Sequence, residues 1–194
     1  MLSMHGTNPG KMGTPFEIKK ELYWNNPRRN ARIAEVAKRL LLRTKKSVRS
    51  VVNDPVLANL ILEASKTGVT ILVENPHHAR QLAQSLPGWA IWTANEFQVK
   101  KPQKGCGILI TEMSADETVI SSGVLIRATG TKWPLPDIDW PWKGDVEEGV
   151  LIDFRDDYHP RARENALARE KSYQKDGKKV CYAEPYARKQ QNSK

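Results

Sequence analysis

The residues best suited to chemistry crowd into Val150–Gly177, VLIDFRDDYHPRARENALAREKSYQKDG. Asp153, Asp156, Asp157 and His159 fall close together there. Carboxylates and a histidine of this kind could hold a divalent ion for phosphodiester cleavage. All four come from one turn, however, whereas a magnesium site takes one or two carboxylates alongside substrate phosphates and draws its ligands from several elements. Asp157 or Tyr158 leading into Pro160 reads instead as the start of a helix, where carboxylates are favoured near the amino end. That helix carries Arg161, Arg163, Arg169 and Lys171. Cations in such a row suit contacts to a phosphate backbone.

Four other places could meet a polyanion. Thr111 ends an apolar run, and its hydroxyl is placed to meet a backbone phosphate if that run is a parallel strand. Asn75 at a helix start presents amides, although helix capping alone would explain it. His77 and His78 follow it and could touch phosphate or sugar; plain histidines are the alternative. Arg127 and Lys132 bracket Ala128-Thr129-Gly130-Thr131, a glycine-containing turn with basic ends that a phosphate can approach closely. Downstream, Trp133, Trp140 and Trp142 interleave with Pro134, Pro136 and Pro141. They could stack bases, or simply pack a stiff loop onto its own domain.

Charge is divided unevenly. Residues 1–68 hold thirteen Lys/Arg and five Asp/Glu, residues 69–160 hold eight and thirteen, and residues 161–194 hold ten and four, within a net charge of +9. An acidic centre flanked by two basic arms suits a polyanionic partner, because each neutralised phosphate releases condensed counterions. No stretch of about 18 apolar residues exists, and the polar, glycine-rich start is expected not to be a secretory signal. Cys106 and Cys181 lack metal spacing and fit a reduced, cytoplasmic setting.

The elements that would position these residues follow from periodicity. Residues 1–29 read as an irregular basic arm. Asn30 can cap a helix to about Lys46 whose apolar positions are Ile33, Val36, Ala37, Leu40 and Leu41. Asp54 and Pro55 start a second, ended by Gly68. Val69–Val73 is an apolar strand; Asn75-Pro76 opens a helix that Pro87-Gly88 closes. Trp89–Thr93, Cys106–Thr111, Gly123–Arg127 and Val150–Phe154 are further strands, and a last helix runs from Pro160 to about Gly177. Strands alternating with helices imply a three-layer parallel α/β sheet. Residues 30–183 would be its domain and 184–194 a disordered basic tail.

The order of these segments resembles the second, RecA-like C-terminal lobe of superfamily-two helicases. Ile71–Trp89 is similar to the strand–helix unit of motif IV. Gly107–Gly130, with Thr111, Glu112 and Met113 at a strand end, occupies the place of motif V. Asn25–Leu41 and Asp153–Tyr173 are similar to an "RN…IA" segment and a "DF.D..HP" segment of a bacterial subgroup. Departures accompany the likeness. The Gln-x-x-Gly-Arg-x-x-Arg pattern that supplies an arginine finger is replaced by Ile126–Pro136, IRATGTKWPLP, and neither a phosphate-cradling loop nor an acidic metal box occurs in the sequence. The resemblance implies a degenerate lobe that binds nucleic acid, most simply DNA, and is not catalytic alone. ATP would enter only through a separate ATP-binding lobe. The residues it and the patterns above nominate are Asn75, His78, Thr111, Arg127, Thr129, Lys132, Trp133, Arg161 and Arg163. The competing expectation is a protein-interaction module whose basic arms bind an acidic partner.

Overall fold

A computed structural model describes residues 1–4, 6–8, 10, 13–93, 105–110, 122–132 and 149–183. Five parallel strands form the main sheet: β2 (Val69–Val73), β3 (Ala90–Thr93), β4 (Cys106–Ile110), β5 (Val124–Arg127) and β6 (Val150–Ile152). Their spatial order is β3-β4-β2-β5-β6, so the chain leaves the central β2, skips one place, returns through β4, and then fills the far side. The expected parallel α/β architecture is therefore present. A separate two-stranded sheet pairs β1 (Leu2–Met4) with β7 (Phe154–Asp156), also in parallel.

Alternation along the strands divides the core between two faces. Val69, Ile71 and Val73 of β2, Ile108 and Ile110 of β4, and Val124 and Ile126 of β5 join one large cluster. This cluster also takes in the helices α2 (Pro27–Leu41), α3 (Lys45–Arg49), α4 (Pro55–Ser65) and α5 (Pro76–Ala83). On the opposite face Leu72, Trp92, Leu109 and Leu125 form a smaller buried group. Gly68, just before β2, has φ +145°, and a Cβ there would lie 2.5 Å from the Gly105 carbonyl oxygen. Only glycine lets the amino ends of β2 and β4 approach so closely.

Several boundaries differ from the sequence reading. Residues 1–29 are not an irregular arm: they contain β1, α1 (Pro15–Lys19), a π-helical turn (Lys20–Trp24) and the start of α2. Leu2, Met4, Leu22, Tyr23 and Trp24 are buried, so apolar burial orders this segment despite its weak periodicity. Helix α2 is capped by Asn26, whose side chain accepts the Arg29 amide, and not by Asn30; the next residue, Pro27, has its φ already set for a first turn. The expected fifth strand breaks at Asp153 into β6 and β7, because the Asp153 carboxylate turns back to accept the Phe154 amide at 2.6 Å. The last helix, α6 (Pro160–Lys175), is capped by His159, not by Asp157 or Tyr158. Among the described residues no helix is long and apolar enough to cross a membrane.

Candidate nucleic-acid interface

Ligands of open parallel sheets bind beyond the carboxyl ends of the strands. Here that edge is occupied by a buried polar network. Arg29, Arg127 and Arg169 are at most 1% exposed, and Asp153 and Asp156 no more than that. Arg169 donates through Nε to Asp153 Oδ2 at 2.8 Å and through Nη2 to Asp153 Oδ1 at 3.2 Å, a bidentate pair. Its Nη2 also donates to the Phe154 carbonyl at 2.8 Å, and Nη1 to the Gly130 and Thr131 carbonyls at 3.3 and 3.2 Å. Arg29 donates to Asp156 Oδ1 at 3.0 Å and to the Ala128 carbonyl at 2.7 Å. Arg127 donates to Thr129 Oγ1 at 2.7 Å and to Tyr173 Oη at 2.8 Å, and that hydroxyl donates to Asp153 Oδ2 at 2.7 Å.

Electrostatics follow from this enclosure. Burial alone would raise the Asp153 carboxyl, but the guanidinium groups of Arg169 and Arg127 outweigh it and hold that carboxyl below its usual value. Burial tends to lower Arg169, yet Asp153 and Asp156 raise it overall. With Arg169 paired to Asp153 and Asp156, and Arg29 to Asp156, these carboxylates are part of the internal scaffold. Burial pushes the Tyr23 phenol up to about 12.

Outside the network, the carboxyl edge opens into a groove of about 810 Å³. One wall comes from α1 and the π-helical turn, with Phe16, Lys19, Leu22 and Tyr23. The other comes from Thr131 and Lys132 beyond β5 and from His159, Arg161, Glu164 and Asn165 at the start of α6. Each wall is fixed by named contacts. Thr14 and Glu17 form a reciprocal capping box on α1. The π turn closes with the Asn25 amide donating to the Lys20 carbonyl at 2.8 Å, and such turns recur at functional sites. Asn165 Nδ2 donates to Tyr23 Oη at 2.9 Å and to the Gly130 carbonyl at 3.1 Å, tying both walls together. Tyr23 lies so close to Gly130 that a Cβ there would be 2.0 Å from the ring.

The nominated residues separate by depth. Lys132 and Arg161 are exposed and line the groove; Arg163 is exposed on α6 with Asp157 at 4.0 Å. Arg127 and Thr129, 1% and 4% exposed, belong to the internal network instead. His78 is also internal: burial, with Arg29 and His77, holds its imidazole well below the usual histidine range, and Nε2 meets Asn30 Oδ1 at 3.1 Å. Asn75 caps α5 by accepting the His78 amide at 2.9 Å. Thr111 and Trp133, with Trp140 and Trp142, lie outside the described residues.

Sequence reasoning missed Asn165 and gave Phe16 and Tyr23 only as docking points of the arm and His159 only as a candidate metal ligand, because the two groove walls are far apart in the chain. Lys19 also lines the groove, but it is committed to Glu74, 2.8 Å away. Searches of protein families, of curated proteins and of solved structures find no match to this chain.

Proposed function

We propose that this chain is a nucleic-acid-binding α/β module, most simply for DNA, that engages the phosphate backbone at the groove beyond the carboxyl end of β5. The observation that carries the reading is the placement of exposed Lys132 and Arg161 on a groove at that edge, with Arg163 further along the same helix. Cations there meet an anion where parallel sheets ordinarily receive ligands, and the first turn of the 16-residue α6 adds the positive end of its dipole. The likeness to a helicase second lobe is consistent with this role and is part of the proposal. On it, the chain is an accessory or split half, hydrolyses no ATP by itself, and meets nucleotide only through a separate ATP-binding lobe.

The test is fluorescence anisotropy of labelled DNA over a salt series. The wild-type protein should bind with a linear fall of log affinity against log salt whose slope reports several phosphate contacts. Lys132→Ala and Arg161→Ala should each reduce that slope by about one contact. Absence of binding at low salt would remove the nucleic-acid reading and leave the basic surfaces to an acidic protein partner. ATP turnover by the pure chain would remove the split-lobe account.

A further inference from the structure

The groove contains one feature that phosphate binding alone does not need. Phe16 is 62% exposed, whereas the neighbouring aromatics Tyr23 and Trp24 are 1% and 7% exposed. The Phe16 ring meets Trp24 edge-on, with centroids 5.5 Å apart and planes at 76°, so it is steadied without being covered. Trp24 is itself anchored: its indole N–H donates to Glu74 Oε2 at 3.1 Å, and Lys19 Nζ stands 5.3 Å from its ring. A large apolar ring is thus held in place at the lip of a groove whose far wall carries Lys132, His159 and Arg161.

We propose that Phe16 is a stacking platform for an unpaired nucleobase, with the adjoining phosphates directed to Lys132 and Arg161. The inference rests on the nucleic-acid reading above and adds strand preference to it. Aromatic faces accept any base, and single strands combine such stacking with a cationic track along the backbone. In a duplex the bases are stacked on each other and have no free face to offer this ring. Pro15 and Leu22 line the groove beside Phe16, and Lys132, His159 and Arg161 stand across from it, so an apolar face and cations meet in one groove as a base with its phosphate requires. Glu164 lies in the same groove, and its charge opposes phosphate there.

Three labelled probes decide the matter: a single-stranded oligodeoxynucleotide, its duplex, and a strand of the same length built from abasic units. Wild-type protein should bind the normal single strand about five- to 150-fold more tightly than the abasic strand, the range expected for one stacked base. Phe16→Ala should erase that preference while leaving abasic and duplex binding unchanged, and Phe16→Trp should restore it. Phe16 is exposed, so unchanged thermal midpoints are expected and should be verified for both variants. Equal affinity for normal and abasic strands, unaltered by Phe16→Ala, would overturn the stacking inference while leaving phosphate binding intact. Failure to bind any of the three would overturn both readings at once.

Discussion

Arg161 and Arg169 stand on one helix and carry the same charge, yet the structure uses them oppositely. Arg161 is exposed on the groove wall, and Arg169 is 0% exposed between two aspartates. Helical periodicity makes the difference. Ala162, Ala166, Arg169 and Tyr173 form one inward stripe, and its two alanines are small enough for α6 to approach β7 closely. Arg161 falls outside that stripe. A run of basic residues on a helix is therefore not one surface: the position on the helix decides which cations are structural and which can meet a ligand.

The sharpest way to break this comparison is to replace each arginine by methionine. Arg169→Met leaves Asp153 and Asp156 buried without their shared cation. Removing one partner of a buried pair costs about 3–5 kcal/mol, so chemical denaturation should show a loss of that order. Arg161→Met should leave the unfolding midpoint unchanged and weaken DNA binding. Similar losses of stability in the two variants would mean that the buried network is not what holds the carboxyl edge together.

The same comparison shows how much could be read in advance. Five strands and the helices α4, α5 and α6 were legible because apolar runs and capping residues punctuate residues 54–93, 106–110, 124–127 and 150–175. Burial of the arginines was not, although a signal existed. Arg29 continues the stripe Ile33, Val36, Ala37, Leu40 one turn earlier, and Arg127 shares its strand face with Leu125. A cation on an apolar stripe is an internal cation if carboxylates face it, and Asp153 lies between β6 and β7 while Asp156 ends β7. Only tertiary structure shows that they do face it. The groove was beyond sequence reasoning for a different reason. Its walls are residues 15–23, 131–132 and 159–165, and their adjacency comes from Asn165, Tyr23 and Gly130.

Buried His78 offers a finer contrast with surface groups. Its pKa is depressed in the folded protein, mainly by burial, while in the unfolded chain it is near 6.5. Below that value, until the folded pKa is reached, the unfolded chain binds more protons than the native state. Stability should therefore fall as pH drops from about 6.5, by at most about 1.4 kcal/mol per pH unit from this group. His78→Gln should flatten the slope in that window. The Asp153 contribution, from a depressed carboxyl, is present above about pH 3.9 and lost as pH falls below it, so the two losses set in at different pH. A slope unchanged by His78→Gln would assign the acid sensitivity elsewhere.

The smallest effect tests the groove itself. Glu164 is exposed beside Lys132 and Arg161, and its carboxylate opposes any phosphate bound between them. Glu164→Gln removes that repulsion without touching the buried network, so affinity for DNA should rise about two- to five-fold at low salt. The gain should vanish as salt is raised, because a solvent-exposed charge is screened within about 10 Å at 0.1 M. Thermal stability should not move. No change at low salt would place the phosphates outside the groove, with the exposed cations Lys38, Arg43, Lys45, Lys46 and Arg49 on α2, α3 and their connection as the other basic surface. Arg43 lies near Gly105, which precedes β4, so that second surface belongs to the amino edge of the sheet. One conservative substitution thus tells which edge of the sheet the polyanion uses.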